Sequence, residues 1–171
     1  MPPTVPPTVT LRPFTPGDGP LLTRTDSEFD DFGPPGVDPT RQLPGCDLDS
    51  RGGLVICLGD SPVGTLSWHY SQWGPTAGSR CVMIGIGLVR DARGQGVGTQ
   101  AHLLITDLIF THTRVHRVEA ATEVDNVAER RALEKAGFHA EGVIRGGLWR
   151  RGSFRDSILY SRLRTDPAPD A

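Results

Sequence analysis

The chain has 171 residues, a formal net charge of −2 and 22% charged residues. That length suits one domain around a single core. The near-neutral balance supplies no basic field for nucleic acid, and no apolar run approaches the length that spans a bilayer.

The first residues, Met1-Pro2-Pro3-Thr4-Val5-Pro6-Pro7, have neither a basic head nor an apolar stretch, so they do not read as a signal peptide. They and residues 166–171 read as mobile tails on a single domain, 1–171. Thr8–Arg12 is a short first strand. Residues 14–50 are rich in Pro, Gly and Asp, with one helix expected near Gly19–Phe29, capped by Asp18. Gly53–Leu58 and Val63–Gln72 form a hairpin around Gly59-Asp60-Ser61-Pro62. Arg80–Val89 is the next strand. A helix follows, with Val97, Ala101, Leu104, Ile105, Leu108 and Ile109 on one stripe. Val115–Thr122 is a strand. Asp125 or Asn126 caps a second helix that ends at Gly137. Two strands, near Phe138–Arg145 and Phe154–Leu163, close the chain. Strand, helix and strand over 80–122 make a right-handed parallel crossover between antiparallel hairpins. The expected fold is a mixed, mostly antiparallel α/β sheet of about seven strands with helices on both faces.

The chemistry concentrates after the fourth strand. There Arg93-Gly94-Gln95-Gly96-Val97-Gly98-Thr99 leads straight into the helix. Glycines let backbone amides approach an anion, and the first helical turn offers unpaired N–H groups and a positive dipole end. The ligand expected here carries a pyrophosphate. A P-loop would need Lys-Ser/Thr after its last glycine, but Thr99-Gln100 follows Gly98, and Lys135 is the only lysine in the chain. Gly96-Val97-Gly98-Thr99-Gln100-Ala101 also fits a dinucleotide fingerprint. However, its acidic partner, Glu119, falls in mid-strand, and the flanking chain is too short for two mononucleotide halves.

Arg/Gln-x-x-Gly-x-Gly/Ala after a strand is the acetyl-CoA signature of the GNAT superfamily of N-acetyltransferases, which this chain resembles. Asp125-Asn126 through Ala136-Gly137-Phe138 is similar to a later block of the family. Glu141-Gly142-Val143-Ile144-Arg145 and Trp149 through Asp156 resemble its ribosomal-protein N-terminal acetyltransferase branch. The resemblance covers residues 8–164. It implies a central parallel pair of strands that splay apart, with the pantetheine arm of acetyl-CoA bonded to the open backbone of Leu88 and Val89. It also implies cofactor contacts from Arg93, Gly94, Gln95, Gly96, Val97, Gly98, Thr99, Asn126 and Arg131. Two positions depart from the family. Glu129 stands where this branch often has Ser, and Leu133 where other members carry a thiolate-protonating Tyr; Tyr160 or water is left for that task.

Acetyl transfer to an amine needs orientation, a base and an oxyanion donor. Glu119 is the first candidate for the base, because strand alternation turns it to the side away from Val118 and Ala120. An ion pair with Arg117 is the competing explanation, and Glu123 and Asp125 are further carboxylates. His69 is the alternative base, in the aromatic stretch Leu66–Trp73 whose Trp68 and Tyr70 are candidate acceptor contacts; strand packing would explain the same residues. The other histidines, His102, His112, His116 and His139, read as surface residues, and no metal site is expected. Cys46, Cys57 and Cys81 read as buried free thiols of a cytoplasmic protein. Segment 15–50 holds eight acids, Asp30 and Asp31 among them, against Arg24 and Arg41, a net −6. In the family this stretch walls the acceptor site, so a cationic acceptor is expected. The expected activity is acetyl transfer from acetyl-CoA to a peptide N-terminus or small-molecule amine, with no nucleic acid or membrane partner. A homodimer, another acyl-CoA donor and a non-catalytic CoA-binding module stay open.

Overall fold

The computed structural model describes residues 8–23, 27–31 and 42–169. Seven strands form one sheet: β1 (Val9–Arg12), β2 (Gly52–Leu58), β3 (Ser61–Gln72), β4 (Arg80–Leu88), β5 (Arg117–Glu123), β6 (His139–Arg150) and β7 (Ser153–Leu163). Their order is β1-β2-β3-β4-β5-β7-β6. Every neighbouring pair is antiparallel except β4 with β5, joined by helix α1 (Val97–His112). Helix α2 (Val127–Lys135) follows β5. The mixed sheet expected from the sequence is therefore present, with most boundaries moved by one to five residues.

The parallel pair is registered only at Val82↔Val118, Met83↔Glu119 and Ile84↔Ala120. Beyond it β4 stays with β3 as far as Leu88, while β5 stays with β7 as far as Glu123. Each strand keeps its antiparallel partner, so the sheet opens between them.

Both α-helices cover the same face. Val97, Ala101, Ile105 and Ile109 of α1 and Leu133 of α2 bury against Ile56, Leu66, Ile84, Val118, Ala120 and Tyr160. The apolar stripe of α1 differs from the expected one. Leu104 is exposed, whereas His102 and Thr106 are wholly buried. Contact between α1 and α2 accounts for this, because it covers a flank of α1 that hydropathy alone reads as solvent-facing. On the opposite face Phe14 lies against Gly53, and the 3₁₀ turn Pro16–Thr23 packs on β3.

Several expectations change here. In place of one helix over 19–29 stand two 3₁₀ turns, Pro16–Thr23 and Glu28–Asp30. Pro20 removes an α-helical donor, and three flanking Gly and Pro residues raise the cost of a regular helix. Asp18 is not a cap but a buried anchor. It accepts from Arg12 Nη1 (2.7 Å) and Nη2 (2.8 Å) and from the Thr15 N–H (2.8 Å). Those bonds hold its carboxyl well below the ordinary range, the Arg12 bond first. Residues 166–169 of the expected tail are held: Asp166 bonds Leu163 through backbone and side chain, and Pro169 packs near Gly137. Residues 1–7 and 170–171 lie outside the described residues. The C-terminus of α2 follows expectation, with Gly137 at φ +81°, Phe138 N–H on Leu133 O and Gly137 N–H on Glu134 O.

Candidate acyl-CoA site

The site is built where β4 leaves the sheet. A 3₁₀ turn, Arg90–Ala92, leads to Gly94 at φ +72° and Gly96 at φ +79°. Gly96 is the N-cap of α1 and contributes no capping side chain, so the first-turn amides are left for an anion. The three glycines do different work. A Cβ at Gly94 or Gly96 would meet nothing within 4 Å, so those two are required for their left-handed backbone. A Cβ at Gly98 would stand 3.4 Å from Ile86 Cδ1 and 3.7 Å from Ala132 Cβ, so Gly98 lets α1 approach β4 and α2.

A cavity of about 660 Å³ opens over this turn. One side is the glycine turn with Thr99, the β4 edge at Ile86–Leu88, and Asn126, Ala128, Glu129 and Ala132 of α2. Arg90, Arg93, Arg131 and Lys135 also line it, two cations on the turn before α1 and two on α2. Arg93 donates from Nε (3.0 Å) and Nη2 (2.6 Å) to Leu88 O, which clamps the turn onto the end of β4. Asn126 caps α2 by accepting from Glu129 N–H (3.3 Å) and donates to Thr122 Oγ1 (3.0 Å), so its amide is fixed at the rim. Glu129 is bonded to buried His102 at 2.8 Å.

The segment Ser27–Phe29 also lines the cavity. Arg150, at the end of β6, holds that segment. Its Nη1 donates to Glu28 O (2.6 Å), while Nε and Nη2 clasp the buried Glu123 at the end of β5. The Arg150 bonds hold the Glu123 carboxyl below its ordinary range against the effect of burial. Arg151 adds a bond to Asp31 at 2.7 Å.

A model of the acetyltransferase (GNAT) domain matches residues 8–139. The chain is a GNAT family member. The Bacillus subtilis (strain 168) protein YjcK, a probable N-acetyltransferase, is 32% identical over 114 residues, covering 67% of this chain and 61% of that protein. Mycobacterium smegmatis RimJ, solved in complex with CoA-disulfide, superposes with a TM-score of 0.60 at 28% identity, covering 67% of this chain and 53% of RimJ. The chain thus spans about three fifths of YjcK and about half of RimJ. A probable acetyltransferase of known structure shares the fold over 91% of this chain and 92% of its own, with a TM-score of 0.72 at 23% identity.

In this GNAT member the structure gathers only part of the candidate site. Arg93, Gly94, Gly96, Gly98, Thr99, Asn126, Arg131 and Leu88 line the cavity; Gln95 and Val97 lie in the same turn, Val97 buried beneath it. Val89 is different, because its N–H donates to Val63 O on β3 (2.9 Å). Antiparallel alternation then turns the backbone groups of Ile86 and Leu88, not Leu88 and Val89, toward the opened gap. Glu119 and His69 do not line the cavity. Both belong to one cross-strand row, His69–Met83–Glu119, inside the closed part of the parallel pair. Glu119 is buried and accepts from Arg117 Nε (2.5 Å) and Trp73 Nε1 (2.7 Å), with Cys81 Sγ at 3.5 Å, while His69 is exposed. The ion pair that competed with the base role is the arrangement seen. Trp68 is a core residue on the helix-covered face that donates to Ser50 O, and Tyr70 donates to Leu48 O. Neither faces the cavity. Tyr160 is buried and bonded to Glu134 (2.9 Å) and Arg130 (3.3 Å).

The acidic segment is partly neutralised. Asp18 is spent on Arg12 and Asp31 on Arg151. Asp26 and Asp38 lie outside the described residues. Asp30 sits in the turn Glu28–Asp30 beside the cavity wall. Cys57 and Cys81 are buried free thiols as expected, but Cys46 is exposed. Sequence reasoning also missed Arg90, Lys135 and Arg150. Arg90 and Lys135 had a readable signal, since each lies within one or two turns of a recognised motif. Arg150 had none, because its partners are 27 and 122 residues away. Among the described residues no cluster of His, Cys, Asp and Glu could hold a metal, and no helix is long and apolar enough to cross a membrane.

Proposed function

We propose that this protein is an acetyl-CoA-dependent N-acetyltransferase that modifies a primary amine, either a peptide N-terminus or a small amine, by direct attack in a ternary complex. The observation that carries the reading is the left-handed Gly94/Gly96 turn, which opens the α1 N-terminus into a cavity lined by four cations beside an opened pair of strands. Left-handed glycines and unpaired amides fit a pyrophosphate, and the outward backbone of Ile86 with the Leu88 N–H fits an extended amide-bearing arm, the Leu88 carbonyl being held by Arg93. Arg90, Arg93, Arg131 and Lys135 would neutralise phosphate charge, and Asn126 would face the arm from α2. Acetyl-CoA supplies an activated carbonyl, so the chain's main task is to hold the amine against it. Orientation of this kind lowers a barrier by roughly 7–11 kcal/mol in the best cases. The three free thiols suit a reducing compartment, in keeping with a cytoplasmic enzyme.

A second reading, a CoA-binding module without turnover, draws on the placement of Glu119 and His69 outside the cavity. Thiol release from acetyl-CoA, screened over N-terminal peptides, polyamines and amino sugars, separates the two. Turnover with any of these amines supports the enzyme. Calorimetric CoA binding without thiol release from acetyl-CoA or succinyl-CoA supports the module.

A further inference from the structure

Glu129 is an acid in a cavity otherwise suited to an anion. It stands in the first turn of α2 and lines the cavity with Arg90, Arg93, Arg131 and Lys135; the other acid of the lining is Glu28. The family pattern, with Ser often at this position, gives a carboxylate here no role. A bare carboxylate would repel a pyrophosphate. The cavity measures about 660 Å³. A sphere of that size is roughly 11 Å across, close to the Debye length in dilute salt. A charge on its wall therefore acts on an ion anywhere inside it.

Glu129 is backed by an imidazole. His102 Nε2, on α1, lies 2.8 Å from its Oε1. His102 is wholly buried, with its ring centroid 5.9 Å from that of Phe138. The other nitrogen, Nδ1, is buried and has no hydrogen-bond partner among the described residues. The bond made by its second nitrogen usually fixes a histidine in one state. Here Nε2–H can donate to the carboxylate whether the ring is neutral or protonated, and nothing at Nδ1 selects a lone pair over an N–H. One turn along α1, the buried hydroxyl of Thr106 is also unpartnered, and a hydroxyl suits either form. The pair is thus able to gain or lose one proton, which belongs to both groups together. It carries one negative charge without that proton and none with it.

His102 is the one ionic partner of Glu129 among the described residues. Other charged groups on the surrounding elements are engaged elsewhere. Arg130 and Glu134 of α2 are bonded to Tyr160, and Arg162 of β7, which feels the charge of Asp107 on α1, donates to Ala136 O. Arg12 of β1 clasps Asp18. Arginine and lysine keep their charge across the neutral range and carboxylates titrate below it, so a pair containing an imidazole is what changes charge there.

We propose that His102 and Glu129 form a proton-binding site linked to the anionic ligand. The pair takes up one proton from solvent as the pyrophosphate-bearing ligand enters and returns it on release. By reciprocity, ligand affinity falls as pH rises through the range in which the pair loses its proton. The inference rests on the CoA-binding part of the acyl-transfer reading and needs no turnover.

The test uses the full chain and 3′-dephospho-CoA, which keeps the pyrophosphate but lacks the phosphate monoester that itself titrates near neutrality. Calorimetric titrations are run on both sides of the ordinary imidazole range, about 6.5, in paired buffers of different ionisation enthalpy. The wild type should bind about fivefold more weakly on the alkaline side, the effect of one screened charge, and should take up a fraction of a proton on binding. Glu129→Gln removes the negative charge. It should abolish the slope and the uptake and hold the tighter, acid-side affinity throughout. His102→Gln leaves a donor for Glu129 but no proton that titrates near neutrality. It should abolish both as well, yet hold the weaker, alkaline-side affinity. Loss of folding would not move the two variants in opposite directions. If the His102→Gln protein does not fold, Glu129→Gln, at a side chain with 23% exposure, decides alone. A wild-type affinity that ignores pH, or a slope that survives in either variant, overturns the proposal and leaves CoA binding intact. Equal weakening in both variants reduces the pair to packing and overturns it too. Failure of both dephospho-CoA and CoA to bind at any pH removes the acyl-CoA reading, and the proposal with it.

Discussion

Gly96→Val tests the cradle most directly, and Gly98→Ala is its internal control. Gly96 sits at φ +79°, where an L-residue costs roughly 1–2 kcal/mol and a β-branched one sits at the upper end. No atom lies within 4 Å of a Cβ there, so the cost is backbone strain and not a clash. The variant has two ways out. It keeps the left-handed turn, loses that much stability and projects an isopropyl group where an anion must approach. Otherwise it relaxes to negative φ and turns the first-turn amides of α1 away. Either route should weaken CoA binding at least tenfold, about 1.4 kcal/mol. Gly98 has ordinary φ, and its added Cβ would meet Ile86 and Ala132 at contact distance, so the change brings neither backbone strain nor a clash. Gly98→Ala should therefore gain up to about 1 kcal/mol from helix propensity and bind CoA as the wild type does. Calorimetric titration with CoA and thermal melts of both variants decide the matter. A folded Gly96→Val protein with wild-type affinity would refute the reasoning, as would Gly98→Ala weakening CoA as much as Gly96→Val.

Arg131→Gln combined with Lys135→Gln should weaken CoA several-fold at low salt, and the difference should shrink as ionic strength rises; a salt-independent deficit would point to packing instead. Glu119→Gln should cost stability by removing the buried one of Arg117's two carboxylate partners, Glu141 being the other, while leaving the acidic limb of the pH–rate profile in place; loss of that limb in a stable variant would make Glu119 the base after all. Glu123 has a folded-state carboxyl below its ordinary range. Its contribution is therefore complete above the unfolded carboxylate range near 4.3 and is lost as pH falls through the lower folded value. Acid unfolding followed by circular dichroism should accordingly be shallower in Glu123→Gln, on a baseline already lowered at neutral pH; an unchanged slope would show that other carboxylates, Asp18 and Glu141 among them, carry the acid sensitivity.

The sequence by itself determined the seven strands, the two α-helices and the cradle, because all are local, though not the 3₁₀ turns that stand where a third helix was expected. A left-handed turn needs glycine at fixed offsets from a strand end and a helix start, and Arg93–Thr99 carries those offsets within seven residues. The closing turn of α2 at Ala136-Gly137-Phe138 was legible for the same reason. Alternation and helical spacing named the faces of β5 and most of the buried stripe of α1. Only the tertiary structure decided which face residues meet a ligand. Glu119 points to the predicted side of β5, but the sheet is still closed at Met83↔Glu119 and opens only beyond Ile84↔Ala120. Where two strands part depends on the partners each keeps, β3 and β7, and no local pattern encodes that. His102 was read as a surface residue because the neighbour that buries it belongs to α2. That segment 15–50 would wall the site came only from the family resemblance, and what holds Ser27–Phe29 against the cavity was hidden. Ser27–Phe29 is held by Arg150, whose side chain joins Glu123 and the carbonyl of Glu28 across 27 and 122 residues of chain. Propensity acts over a few residues, whereas a buried guanidinium finds its acceptors only after the sheet has brought them together.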